Sequence, residues 1–345
     1  MATDVPALPR SEDSGSPFVR WLEQFRDRIN LGMIDSHAAK RIRLLVTGTG
    51  ADELLDVLDP DGSARSAVFD HLETAPGWSI ADSATRAILV CGDAGVVDRP
   101  APEHLESSAL PVFLIDRPIG DDENPAVTTH AVPHRPSPGQ PARYRVSELT
   151  LAQLRRHVLP DVVEACRGLE VSLGAQVPAF RPTVAAKLSV DCAMNSLKVA
   201  GASALVDHVP VLGLVLGSIA SAGDTIAITG MQVAMLLNLA ATYGKKAEMA
   251  RIIELLPVIG GGYGWRALAR ELSGFIPIAG PVIKAGIAYA GSLVIGQAAS
   301  FYYETGDRMA PDKLSALYRE AIDRARTLAR ELVDKLKKKP DSKTP

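Results

Sequence analysis

The sequence predicts a chain in two parts, an α/β domain on a parallel sheet followed by an all-α domain rich in small residues. The first observation is three short apolar runs, each ending at a turn residue, over residues 42–48, 87–93 and 111–118. Their Val, Ile and Leu residues do not alternate with polar ones, which is typical of strands buried on both faces of a sheet. The second observation is a change of composition after Arg181, where long and nearly uncharged stretches begin.

Composition narrows the class of protein. The chain has 345 residues, of which 47% are hydrophobic and 22% charged, and a net charge of -3. This balance allows a sizeable core and provides no overall basic surface, so we expect no nucleic-acid partner. Cys91, Cys166 and Cys192 are an odd, widely spaced set without a Cys-x-x-Cys pair, which favours a reducing compartment over a disulfide framework.

The run over residues 42–48 ends in Gly-x-Gly, and a helical pattern follows at once over residues 51–58. Leu54, Leu55 and Leu58 share one face of that helix, as a crossover helix covering a parallel sheet requires. Strand, glycine loop and helix in this order are also how many nucleotide-binding domains begin.

The order of segments resembles a small GTPase domain. VTGTGADELLDVL stands where the phosphate loop would be, LPVFLIDRP where a guanine-reading Asn-Lys-x-Asp segment would be, and YRVSELTLAQL is similar to the Ser-Ala turn and its helix. The fold class is therefore predicted as a degenerate P-loop GTPase-like parallel sheet followed by a helical domain.

The glycine loop lacks the residues that phosphate binding needs. A P-loop requires Gly-x-x-x-x-Gly-Lys-Ser/Thr, and counting from Gly48 the last three positions are Glu53, Leu54 and Leu55. The third glycine of a Gly-x-Gly-x-x-Gly loop is again Glu53. Asp52 and Glu53 occupy the first helical turn, where we expect them to cap the helix and repel a phosphate.

We therefore predict a nucleotide-free domain in which Gly48 and Gly50 are a weak remnant of a nucleotide loop. No catalytic residue, cofactor or metal is expected, and the protein is predicted not to be an enzyme. His130 and His134 are separated by Pro133, so they do not share a helix face and no ligand set with metal spacing accompanies them.

The second half contains three long stretches of low charge, over residues 209–223, 225–243 and 275–301, the last interrupted by Lys284. Two rows of small residues at a spacing of four favour close helix approach. They are Gly213 and Gly217, and Ala288, Ser292 and Gly296. The pattern predicts helices that insert into a membrane or associate tightly with it, and the small-residue faces are compatible with a homo-oligomer. The alternative is a soluble apolar bundle.

Asp224 separates two of these stretches. It is expected to cap the second helix, or to pair with Lys284 or Lys187, because a charge inside an apolar bundle needs a partner.

Residues 179–306 contain stretches such as GDTIAITGMQVAMLLNLAATYG and FYYETG. Through these stretches the segment resembles the YcjF-like family, a domain of unknown function attached to Era-like GTPase domains. Its motif residues include Asp224, Gln232, Trp265, Arg266 and Lys284. The resemblance implies a helical, membrane-associated module beside a GTPase domain in the same or a partner chain, with no catalytic residues to assign.

The last helix is predicted from residue 311 to 338, with an apolar seam that packs on its own protein or forms a coiled coil with a partner. The seam consists of Leu314, Tyr318, Ala321, Ala325, Leu328, Leu332 and Leu336. Its basic end, Lys335, Lys337, Lys338 and Lys339, suits the helix dipole or an anionic membrane face.

Four segments follow from these patterns. Residues 1–38 are a flexible leader and an amphipathic helix with the apolar stripe Phe18, Trp21, Leu22, Phe25 and Ile29, which packs on the core or docks elsewhere. Residues 39–160 form the GTPase-like domain, 161–310 the YcjF-like domain and 311–345 the terminal helix and basic tail.

Three functions remain open from the sequence. The leading expectation is a non-catalytic protein at the cytoplasmic membrane whose α/β head, on the cytoplasmic side, is a scaffold or binds a protein partner, such as a GTPase. A GTP-binding regulator with an atypical loop is one alternative. A soluble cytoplasmic adaptor that dimerises through its last helix is the other.

Overall fold

The computed structural model describes residues 30–72, 83–93, 109–116, 141–206, 213–260 and 281–337. Some predictions fall outside the described residues. These are the apolar stripe of the predicted amphipathic helix from Phe18 to Ile29, the histidines His130 and His134, and the motif residues Trp265 and Arg266.

Five parallel strands form one sheet, which confirms the predicted sheet type. They are β1 (Arg43–Thr47), β2 (Phe69–Leu72), β3 (Thr85–Gly92), β4 (Val112–Asp116) and β5 (Ala142–Arg145). Their spatial order is β2-β1-β3-β4-β5, and every neighbouring pair is parallel. The three predicted runs are β1, β3 and β4, whereas β2 and β5 lie at the two edges and were not predicted.

Five short helices accompany the sheet in sequence. They are α1 (Leu31–Ala38), α2 (Ala51–Leu58), α3 (Leu151–His157), α4 (Leu159–Ala165) and α5 (Glu170–Gln176). The helix predicted over residues 51–58 is confirmed as α2, and Leu54, Leu55 and Leu58 are each 1% exposed in the core of the sheet. Burial of that apolar face is what stabilises so short a helix.

The remainder is a bundle of long helices that follows a 3₁₀ turn at Pro178–Phe180. These helices are α6 (Arg181–Val206), α7 (Gly213–Thr242), α8 (Met249–Gly260), α9 (Pro281–Thr305) and α10 (Pro311–Lys337). The most extensive helix contact is between α6 and α9.

The two cores meet along α6. Val184 near its start is buried with the core of the sheet, whereas Leu197 and Ala200 near its end are buried in the bundle. The predicted boundary between residues 160 and 161 falls inside α4, whose Val162 and Val163 are fully buried in the core of the sheet. The core of the sheet therefore includes side chains of α4, Leu173 of α5 and Val184 in the first turn of α6.

Asp224 lies inside α7, which runs without a break from Gly213 to Thr242. The prediction that Asp224 caps a second helix is therefore wrong. An Asp in a helix interior costs only about 0.7 kcal/mol relative to Ala, so a single polar residue does not end a helix whose neighbours favour it.

The apolar seam of α10 packs on the protein's own bundle. Tyr318, Ala321 and Ala325 are buried in a cluster with Tyr289 and Leu293 of α9. The seam is therefore covered by the same chain over this length.

Among the residues that the structure describes, no helix combines the length and the apolar character that a membrane crossing needs.

Candidate functional site

The candidate site lies at the carboxyl edge of the sheet, between β1 and β3. After β1 the chain adds β2 on one side of β1, and it then adds β3 on the other side of β1. The direction in which strands are added therefore reverses between β1 and β3. Ligands of open parallel sheets bind at this reversal, outside the carboxyl ends of the strands. The loop over residues 48–50 and the first turn of α2 occupy that position.

The loop is closed against the end of β3. The amide N–H of Gly50 donates to the carbonyl oxygen of Cys91 over 3.0 Å, and the amide of Ala51 donates to the carbonyl of Gly48 over 3.1 Å. Gly48 has a φ of +101°, which L side chains rarely adopt. The amide of Gly50, which a phosphate loop would direct at its ligand, is thus bonded within the fold.

The positions at which a P-loop would carry Lys and Ser/Thr are core positions in this protein. Leu54 and Leu55 are each 1% exposed and pack in the core of the sheet. A lysine at either position would have to leave an apolar core to reach a phosphate, which is costly for a charged group. The loop is therefore unsuited to phosphate by packing as well as by residue type.

The first turn of α2 is acidic, as predicted. Asp52 and Glu53 are its acidic residues, and the N-cap position is Gly50, which contributes no side-chain cap. Asp52 Oδ1 lies 3.5 Å from Nδ1 of His71, at the carboxyl end of β2. Two negative charges at a helix N-terminus repel an anionic ligand.

The end of β4 carries an ion pair. Asp116 is 2% exposed, and its Oδ2 accepts a hydrogen bond from Nε of Arg145 at the end of β5 over 3.2 Å. In the sequence, Asp116 belongs to the degenerate base-reading segment, and its pairing with Arg145 was not predicted because β5 was not predicted. The pair ties the ends of two strands together.

The three cysteines are buried, and none of them forms a disulfide. Burial, with a smaller contribution from the carboxylate of Glu170, raises the pKa of Cys166 to about 12. Burial also raises the pKa of Cys192, against the opposing effect of hydrogen bonds with Ser196 and Ser292. Neither thiol supplies a thiolate at neutral pH.

Within the described ranges, no group of three or more His, Cys, Asp or Glu side chains is placed to hold a metal ion.

A buried polar chain joins three helices of the bundle and includes the motif residue Gln232. Its Nε2 on α7 donates to Ser292 Oγ on α9 over 3.0 Å, and Ser292 Oγ donates to Ser196 Oγ on α6 over 2.9 Å. Both serines are fully buried. Satisfied polar groups in an apolar core fix how helices align, because a shifted alignment would leave them unbonded.

The row of small residues on α9 faces α6 of the same chain. A Cβ added at Gly296 would lie 2.7 Å from Cβ of Ser189 and closer still to its hydroxyl oxygen. Ser292, one turn earlier, bonds to Ser196. The close helix approach that the spacing predicted thus occurs within one chain.

The predicted charge pairing of Asp224 involves side chains outside the described part of the structure, since neither the Asp224 nor the Lys284 side chain is included. Lys187, the other proposed partner, bonds elsewhere. Its Nζ lies 2.9 Å from a carboxylate oxygen of Glu164 and 3.0 Å from one of Asp191.

A cluster of tyrosines and carboxylates at the end of the bundle was not predicted as a site. Tyr243 donates to Glu304 over 2.5 Å, Tyr302 donates to Glu254 over 3.0 Å, and the ring of Tyr303 stacks on Tyr243 at 5.5 Å between centroids. Burial, followed by the bond to Glu304, raises the pKa of Tyr243, so this hydroxyl stays protonated at neutral pH. The Tyr-Tyr-Glu run over residues 302–304 was the available sequence signal.

Comparison with known proteins identifies no relative. A scan of protein-family models, a search of curated proteins and a search of solved structures each gave no match to this chain. The resemblances to small GTPases and to the YcjF-like family stay predictions, and the geometry of the site carries the functional argument alone.

Proposed function

We propose that this protein is a non-catalytic scaffold whose GTPase-like α/β unit binds no nucleotide and presents a surface to a protein partner. The observation that carries the proposal is the bond from the Gly50 amide to the carbonyl of Cys91. A phosphate at this edge would have to compete with that bond and with the acidic first turn of α2.

Charge at the carboxyl edge supports the same proposal. At this edge the guanidinium of Arg145 is paired with Asp116, and the imidazole of His71 lies beside the carboxylate of Asp52. A bound nucleotide needs uncompensated positive charge or a metal at its phosphates. Arg145 is already engaged by Asp116, so this edge offers little attraction for a triphosphate.

The test is titration of the full chain with fluorescent GTP, GDP and ATP in the presence of Mg²⁺. We expect no saturable signal up to about 1 mM nucleotide. Any binding would then be weaker than a Kd of about 1 mM, which corresponds to a binding free energy of about -4 kcal/mol. Saturable binding that Gly50→Asp abolishes would overturn the proposal and favour a GTP-binding regulator with an atypical loop. Asp52→Asn removes one of the two charges that repel a phosphate, and it should likewise show no saturable signal because the Gly50 amide stays bonded to Cys91.

Membrane association is the second part of the proposal, and sequence supports it. Residues 209–223 carry no charge, and the chain ends in a basic segment with Lys335, Lys337, Lys338 and Lys339. Lysines near an anionic surface contribute about 1 kcal/mol each. This surface attraction does not require any helix to cross the bilayer.

Flotation of the full chain with anionic and with neutral lipid vesicles tests that part. We expect binding to anionic vesicles that falls when the four lysines are changed to glutamine, and a smaller effect on neutral vesicles. If all of the protein stayed unbound to both vesicle types, membrane association would be refuted. The proposal of a nucleotide-free scaffold would still stand.

A further inference from the structure

We propose that α1 is a strap that opens as a unit and uncovers an apolar face of α5 and α7. The strap comprises residues 30–39, that is, α1 with its two flanking cap residues. It precedes the sheet in the sequence, yet its main packing contacts are with α5 and α7.

Among the described residues, few interactions hold the strap. Ile34 is its buried side chain, 6% exposed, and it belongs to the bundle core together with Val171 of α5. Leu31 and Ala38 pack against that core from partly exposed positions. Met33 on the same helix is 51% exposed. An isolated helix of eight residues is marginal in water, so its stability depends on this small contact.

One hydrogen bond ties the strap to the bundle from the side. Oδ1 of Asp35 accepts the amide N–H of Ala247 over 2.8 Å, in the segment between α7 and α8. A bond from an amide to a carboxylate is stronger than one to a neutral acceptor. Asp35 and Ala247 are 212 residues apart in the chain, so this bond joins the start of the described chain to the bundle.

The chain is anchored immediately after the strap. The carbonyl oxygen of Lys40 accepts hydrogen bonds from the hydroxyl of Ser172 and from Nε2 of Gln176, both on α5. Ile42 is then fully buried in the core of the sheet. This anchor lies between the strap and β1, so the strap can detach without disturbing β1. Segments with few buried contacts open locally at much lower free energy than the global fold.

Hydrogen–deuterium exchange of the full chain tests whether the strap opens as a unit. We expect residues 31–38 to exchange faster than β1 by about 100-fold or more. Asp35→Asn, which keeps an acceptor but removes its charge, should speed exchange about fivefold both in α1 and at Ala247. Met33→Ala is the matched control, because its side chain is largely exposed, and it should change neither.

Protection of residues 31–38 equal to that of β1 would overturn the proposal. So would Asp35→Asn leaving the Ala247 region unchanged, because fraying of α1 alone does not involve that amide. These readouts are independent of nucleotide and lipid binding, so they are distinct from the tests of the proposed function.

Thiol labelling tests whether the face beneath the strap is uncovered. Val171→Cys places a thiol at a position 9% exposed in the core that Ile34 shares, and the native cysteines are buried. We expect Ile34→Ala to speed labelling of that thiol about 30-fold, since truncating a buried Ile loosens the strap. Slow labelling of Cys91 in the same sample shows that the sheet is intact. Equal labelling of the Val171→Cys thiol in both backgrounds would refute the strap.

Discussion

The amide of Gly50 and the carbonyl of Cys91 are 3.0 Å apart and hydrogen-bonded, which closes the loop after β1 onto the end of β3. Gly48, two residues earlier, makes this closure possible through its positive φ and its lack of a side chain. The residues that resemble a phosphate-loop remnant thus have a structural role, since they bring two neighbouring strands together at the edge where a ligand would bind.

Gly48→Ala should destabilise the protein strongly. A Cβ at this position would lie 3.0 Å from the carbonyl carbon of Cys91 and closer still to its oxygen, in a backbone conformation that alanine avoids. Strain and overlap with backbone, which cannot rotate away, predict a loss of about 2–4 kcal/mol in the free energy of unfolding. Chemical denaturation monitored by circular dichroism measures it.

Gly62→Ala is the matched control for that substitution. Gly62 also has a positive φ, +70°, but no atom lies within 4 Å of an added Cβ. Its cost should be limited to backbone strain, about 1 kcal/mol. Equal losses for the two variants would mean that the approach to Cys91 does not matter for stability.

The sequence predicted the centre of the sheet and missed its edges. β1, β3 and β4 are continuous apolar runs because they are covered on both faces, and this pattern is visible in one dimension. β2 and β5 are four residues each, and β5 reads Ala-Arg-Tyr-Arg, with both arginines half-buried. Edge strands need less apolar sequence, so neither run differs enough from a loop to be recognised.

The site was predictable in part for a similar reason. The lack of phosphate-binding residues at Glu53, Leu54 and Leu55 follows from spacing alone, whereas the bond between Asp116 and Arg145 depends on two strands meeting in space. The same holds for Gln232 and Ser292, which are separated by 60 residues in the chain. Contacts between distant segments leave no local pattern, so only the fold reveals them.

Gly296→Ala should destabilise the bundle at the crossing of α6 and α9. An added Cβ would lie 2.7 Å from Cβ of Ser189 and 3.1 Å from Sδ of Met235, so the helices would have to separate. Overpacking of this kind costs about 1–3 kcal/mol. The denaturation midpoint measures this loss of stability. The slope of the transition should equal that of the wild type, which shows that unfolding is still two-state.

Gly291→Ala on the same helix should have the opposite effect on the stability of the protein. No atom lies within 4 Å of a Cβ added there. Alanine favours a helix interior by about 0.8–1.0 kcal/mol over glycine, so this variant should be more stable than the wild type. If both variants shifted the midpoint in the same direction, the close approach at Gly296 would not be the cause.

Tyr144 should make the protein sensitive to alkaline pH. Its ring is 2% exposed, and its hydroxyl donates to Oδ2 of Asp161 over 2.6 Å. Burial, then the hydrogen bond to Asp161 and its negative charge, raise the pKa of Tyr144 above the ordinary value of 10.0. Above about pH 10 the unfolded chain loses this proton while the folded protein keeps it, so stability falls as pH rises and is fully present below that value.

Denaturation midpoints from about pH 8 to about pH 11 test this linkage. The wild type should lose stability above about pH 10, and Tyr144→Phe should reduce the slope by up to about 1.4 kcal/mol per pH unit. At neutral pH the same variant should be less stable by about 1–2 kcal/mol, because Asp161 loses a donor. Tyr243, which is buried, and Tyr303, which is half-buried, also have pKa values raised mainly by desolvation, so they would preserve part of the alkaline slope in the variant. Parallel curves for the two proteins through about pH 11 would show that Tyr144 ionises equally easily in the folded and unfolded chains.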